Sequence, residues 1–153
     1  MAPDDVKALA RRFVEELLTQ GDLAVARDLF TEDCRHHAPG PVASGAAGIA
    51  AWVAELRQAF PDLWAIIEEE IAQEGRVALR LSLGGTQEGM LDTLPAGGQR
   101  ARWQQITILH AGPDGRFVAV WSSWDRLGLL TQLGVRADAG DEARAPPREV
   151  DLP

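Results

Sequence analysis

A single cysteine, Cys34, in 153 residues excludes an internal disulfide. Positive charge is also short: 15 Lys and Arg stand against 23 Asp and Glu, a formal net charge of −8, and no basic cluster interrupts that balance. Such a chain repels phosphate backbones and anionic lipid, so neither nucleic acid nor a membrane surface is expected as a partner. No apolar run approaches the ~20 residues that span a bilayer, and the charged, helical N-terminus has no continuous apolar core, which fits a soluble cytoplasmic protein. HExxH, a Cys/His cluster, a GxSxG elbow, a Walker loop and a dinucleotide fingerprint are all missing, so no metal and no cofactor are expected. Cys34 follows Asp33, whose charge disfavours a thiolate, and is a poor nucleophile.

What is present is apolar content: 46% of the residues are hydrophobic, enough for one core in a chain of about one domain's length. Val6, Leu9, Ala10, Phe13, Val14, Leu17 and Leu18 recur at helical steps after Asp4 and Asp5 and stop before Gly21. Asp22 can cap a shorter helix with Leu23, Ala26, Leu29 and Phe30. Thr31-Glu32-Asp33 then leads into a Gly- and Pro-rich loop that holds His36 and His37. Ser44 opens a third helix with Ile49, Trp52, Val53, Leu56 and Phe60 on one side, and Pro61 stops it.

Beyond Pro61 the period becomes two, most clearly in Val77, Leu79, Leu81 and Leu83 against Arg76, Ala78, Arg80 and Ser82. Strands are expected over 64–72, over 76–83 up to an interruption at Gly84-Gly85, and over 102–110 and 117–125, the last two joined across Pro113-Asp114-Gly115. The expected plan is α+β: three N-terminal helices packed on a strongly curved antiparallel sheet, forming a cone with an internal pocket. Residues 1–134 form that domain, and 135–153, rich in Ala, Asp, Glu, Arg and Pro, read as a mobile tail.

The last strand ends in Trp121-Ser122-Ser123-Trp124-Asp125, where strand gives way to helix. Strict alternation puts Trp121, Ser123 and Asp125 on one face, so the carboxylate is expected beside a large ring, where burial would make it a usable acid or base. The plain alternative is a cap on the helix that starts at Arg126. With Asp114-Gly115 as a two-residue turn, His110 stands opposite Ala119, Ile108 opposite Trp121 and Gln104 opposite Asp125, all on that face, with Trp124 pointing out toward a possible dimer contact. A slip of one residue would instead bring Gln105, Thr107 and Leu109 inward and turn His110 outward. Trp52, Phe60, Trp64, Trp103 and Trp121 could stack on a planar ligand, although burial worth up to ~3 kcal/mol each explains such rings as core. Met90 and Leu91 beside Gly89 could close the pocket or simply belong to the core. His36 and His37 are neighbours and so point apart, which argues against a shared metal and leaves either one a loop hydrogen bond first and a substrate contact second.

Arg35-His36-His37-Ala38-Pro39-Gly40, Ala59-Phe60-Pro61-Asp62-Leu63, Gly85-Thr86-Gln87-Glu88-Gly89, Asp114-Gly115-Arg116, and Trp121 to Asp125 with Gln132-Leu133-Gly134, in this order and spacing, resemble the SnoaL-like polyketide cyclases of the nuclear transport factor-like and ketosteroid isomerase-like superfamily. The resemblance implies a cofactor-free enzyme with Asp125 as acid/base, assisted by a strand histidine that maps to His110. It places a glutamine of some cyclases at Ile108 and the histidine of the Gly-Thr-His segment at Gln87, and sets His36 or His37 near the cavity. The expected catalytic residues are therefore Asp125 and His110. Those expected to bind substrate are His36, His37, Trp52, Phe60, Gln87, Met90, Gln104, Ile108 and Trp121. The expected activity is ring closure or isomerisation of a polyketide-like or polycyclic carbonyl compound by a homodimer, with epoxide opening or plain ligand binding as alternatives.

Overall fold

The structure is a computed structural model that describes residues 1–39 and 44–135; the expected tail lies, from 136 on, outside the described residues. Helix α1 spans Pro3–Arg12, with Pro3 in its first turn, Asp4 and Asp5 against its positive end, and Arg11 and Arg12 at its negative end. It runs on into a π-helical stretch, Phe13–Thr19, which buries Phe13, Val14, Leu17 and Leu18 together. The Arg57 guanidinium collects the carbonyls of Leu18 (2.9 Å) and Thr19 (2.8 Å), supplying donors where the helix has none left. Asp22 accepts from the Ala24 amide in a 3-10 turn, Leu23–Val25, that leads into α2, Ala26–Leu29.

Strand β1, Phe30–His37, follows at once where a loop was expected. Cys34 and His36 are buried while Arg35 and His37 are exposed, so this stretch alternates as a strand should, and it pairs in parallel with the last strand. Helix α3, Gly45–Ala59, crosses to β2, Trp64–Gln73. Then come β3, Arg76–Thr86, β4, Arg100–Ala111, β5, Phe117–Trp124, and the short helix α4, Arg126–Gln132. The sheet order is β1-β5-β4-β3-β2, mixed only at the β1–β5 seam. Gly84 and Gly85 do not interrupt β3. A Cβ on Gly84 would meet the Trp64 indole, and one on Gly85 the Phe60 ring, so these glycines let aromatic rings lie on the strand.

Val77, Leu79, Leu81 and Leu83 are buried almost completely and set the inner face of the sheet. Their partners on β4 are Leu109, Thr107, Gln105 and Trp103, which must therefore face the helices too. Past a register shift beside the turn, where Ala111 pairs with Phe117, the β4–β5 hairpin keeps the expected register from Gln105 to His110, with His110 opposite Ala119 and Ile108 opposite Trp121. That whole row points outward. The register of this hairpin is the expected one and its faces are inverted: Val120, Ser122 and Trp124 look in, while Trp121 and Ser123 look out.

Candidate active site

Between α3, α4, the inner ends of β4 and β5 and the segment after β3 lies a cavity of ≈ 770 Å³. His36 enters it from β1, where it pairs beside Val120, and is buried with its ring edge-on to Trp52 at 5.3 Å between centroids. Burial, reinforced by the charge of adjacent His37, holds the His36 imidazole below the usual histidine range. The ring is thus neutral at pH 7 and carries a free basic nitrogen. Nδ1 is buried without a hydrogen-bond partner, and the side chain lines the cavity.

Trp52, from α3, stacks on Trp124 with centroids 6.2 Å apart and planes 30° from parallel. Opposite Trp124 on β4 stands Gln105, buried, whose Nε2 donates to Thr107 Oγ1 at 2.8 Å; Thr107 and Ser122 share a further hydroxyl hydrogen bond of 3.2 Å. Trp103 joins the wall, backed by Phe60 at 5.3 Å. The charged lining residues lie at the mouth: Glu55 is exposed, and Asp92 is ion-paired with Arg126 at the start of α4. Met90 and Leu91 contribute to the same rim, and Met90 is largely exposed.

Of the residues expected to bind substrate, the structure gathers His36, Trp52 and Met90 around this cavity. His37 points to the outer face and stacks on Trp121, centroids 4.9 Å apart and 11° from parallel, and His110 lies 4.6 Å from the same indole on its own strand's outer side. Gln104, Ile108 and Trp121 are exposed on that face as well. His110, Gln104, Ile108 and Trp121 therefore do not share the cavity, because the leucine row of β3 claims the opposite face of the hairpin. Phe60 is fully buried as packing behind Trp103. Gln87 is fully buried too, donating from Nε2 to the Leu94 carbonyl (3.2 Å) at the base of the segment between β3 and β4.

Asp125 is exposed and accepts from the Gly128 amide at 2.9 Å as the N-cap of α4. It is not buried beside an indole, and the plain alternative describes its geometry. Trp124, expected to face outward, is a cavity wall. Trp103 and Gln105, offered by the sequence only as a stacking ring and as part of the slipped register, line the cavity, together with Trp124, Asp92 and Arg126, which were not expected there. The signal for the first three was the leucine alternation of β3, had its pairing with β4 been known. Burial and Asp33 raise the Cys34 thiol to about 11, in keeping with its reading as a poor nucleophile. Among the described residues no three His, Cys, Asp or Glu side chains are placed to hold a metal ion, and no helix is long and apolar enough to cross a membrane.

The fold recurs in solved structures. TsrD from Streptomyces laurentii superposes with a TM-score of 0.79 at 27% identity, over 88% of this chain and 98% of that one. AclR from Streptomyces galilaeus, which carries a provisional hydroxylase assignment, gives 0.76 at 28% identity over 87% and 98%. IdmH from Streptomyces antibioticus, provisionally a polyketide cyclase, gives 0.72 at 26% over 88% and 100%. No curated protein matches the chain in sequence. The family model of the SnoaL-like polyketide cyclases matches residues 8–133, nearly the whole of the described fold, and the chain belongs to that family.

Proposed function

We propose that this protein is a cofactor-independent cyclase or isomerase that acts on a flat, largely apolar carbonyl compound, with His36 as its acid/base group. One observation carries the reading: His36 is the buried titratable side chain of an indole-walled cavity, its imidazole held below the usual histidine range and its Nδ1 without a hydrogen-bond partner. Trp52 and Trp124 hold the ring system of the substrate. The imidazole takes a proton from carbon next to a carbonyl, and the C–H electron pair becomes the enolate. The enolate carbon then attacks a second carbonyl of the same molecule, and the resulting alkoxide takes the proton back from the imidazolium. No electrons are gained or lost, and the only group the step needs is the base. A positioned base of this kind contributes roughly 10²–10⁴-fold.

The test is proton exchange. 2-Tetralone, a bicyclic ketone with an acidic α-carbon, is incubated with the protein in D₂O and its C1 proton followed by NMR. The reading expects accelerated loss of that signal with the wild type and none above buffer with His36→Gln. Exchange that survives His36→Gln in the folded variant would move the chemistry elsewhere. A protein that binds the ketone without exchanging it would instead be a ligand-binding module.

We further propose that the working form is a homodimer joined through the outer face of the sheet. Ile71, Ala78, Ile108, Trp121 and His37 are consecutive cross-strand neighbours, forming an apolar row across all five strands, with Ile66 and Ile106 exposed beside it. Five strands ~4.8 Å apart give a face of roughly 600 Å², close to the ~800 Å² that each partner of a stable interface contributes. Two of its arginines are ion-paired, Arg80 with Glu69 and Arg102 with Glu68, while Arg35 and Arg76 lie on the same face two residues from the apolar row.

A further inference from the structure

The inner face of β4 carries a polar residue where its row offers only apolar company: Gln105 sits between Leu81 of β3 and Trp124 of β5. A buried amide in such a place loses its water, which is costly unless each of its groups finds a partner. Among the described residues it makes one side-chain hydrogen bond, to Thr107, which leaves a second N–H and the carbonyl oxygen to whatever occupies the cavity. Gln104, its neighbour on the outer face, is exposed and incurs no such cost.

We propose that Gln105 is the carbonyl-recognising, specificity-determining residue of this cavity, and that the Thr107–Ser122 hydroxyl pair is the positioning device that keeps its amide N–H groups forward. The inference rests on the cavity being the ligand site. Thr107 accepts from the amide and is itself tied to Ser122 by a hydrogen bond in which either hydroxyl can donate, so the amide is anchored through two linked bonds. Thr107 is fully buried and Ser122 nearly so, which shields the pair from water that could take over either bond. The location of Gln105 also limits which oxygen it can meet. His36 stands beside Val120 and Gln105 opposite Trp124, four residues further along β5, or ~13 Å at strand rise. The carbonyl that Gln105 reads is therefore remote from the carbon that His36 deprotonates. The substrate class this selects is a long, planar molecule with an oxygen function at each end and an aromatic or conjugated middle lying on Trp52 and Trp124.

The probes are 9-fluorenone and fluorene, tricycles of the same outline that differ by a carbonyl in place of a methylene. Binding is read by quenching of tryptophan fluorescence and by the side-chain amide signals of Gln105 in an NMR spectrum. The wild type is expected to prefer the ketone several-fold, up to about tenfold, and only the ketone should shift the Gln105 amide. Gln105→Met, of similar length and without donors, should bind both tricycles alike with fluorene affinity kept. Thr107→Val should lose part of the preference, and Thr107→Ser should restore it, which a merely structural role for Thr107 would not do. A preference that survives Gln105→Met, or no preference in the wild type, overturns the assignment while leaving the cavity as the ligand site. If neither tricycle binds, the cavity reading fails and this inference falls with it.

Discussion

The two faces of the β4–β5 hairpin carry nearly the same chemistry one residue apart. Inside stand Gln105 and Trp124, with His36 on the adjoining β1; outside stand Gln104 and Trp121, with His37 next to His36. One set lines a cavity and the other an exposed apolar row. Residue type does not separate them. What separates them is parity, and parity is imposed from β3, whose leucines must meet the helices and whose pairing with β4 carries that requirement across the sheet.

The comparison breaks most sharply at the histidines. His36→Gln should lower exchange of the 2-tetralone proton by about 10²–10⁴-fold, whereas His37→Gln should leave it within about twofold of wild type; equal losses would erase the difference between the faces. At the tryptophans, Trp124→Ala should weaken 9-fluorenone binding by about tenfold or more, given the area an indole buries. Trp121→Ala should leave binding intact and shift the mass measured by sedimentation from dimer toward monomer. Asp125→Ala removes an N-cap and should cost about 1 kcal/mol in denaturant unfolding, with proton exchange unchanged.

The smallest effect is on stability against pH. His36 and His110 are both held below the free imidazole value of 6.5, chiefly by burial, so on acidification the unfolded chain binds protons that the folded chain refuses. Their contribution is whole above about 6.5 and is lost as the pH falls from there through the lowered folded values. The melting temperature should therefore fall between pH 7.5 and 5.5, and His36→Gln should flatten part of the fall.

Much of this was legible in the chain. The amphipathic pattern of α1, the Ser44 start and Pro61 stop around α3, the leucine alternation of β3 and the Asp114-Gly115 hairpin are local signals that the fold obeys. The hairpin register from Gln105 to His110 followed from the position of Asp114-Gly115, with a one-residue shift at Ala111 that the sequence did not announce. The hairpin's inward face did not follow, because Ile106, Ile108 and Trp121 make the outer side as apolar as the inner and so remove the alternation that would orient it. The link to β3 runs through residues 87–99, too long a connection for a turn type to set the register. β1 was hidden for a related reason: its charged and histidine residues read as a loop, and its strand partner, β5, lies some eighty positions away. Asp125 drew attention by standing next to Trp124, yet a side chain at a strand end is free to turn back to the helix it begins.

The most direct measurement is an NMR titration of the tryptophan indole N–H signals with 9-fluorenone, each of the five assigned by single Trp→Phe replacement. The account predicts that Trp52, Trp103 and Trp124 shift together with one dissociation constant while Trp121 stays where it is. Shifts confined to Trp121 would put the ligand on the outer face of the sheet and contradict the assignment of the inner one.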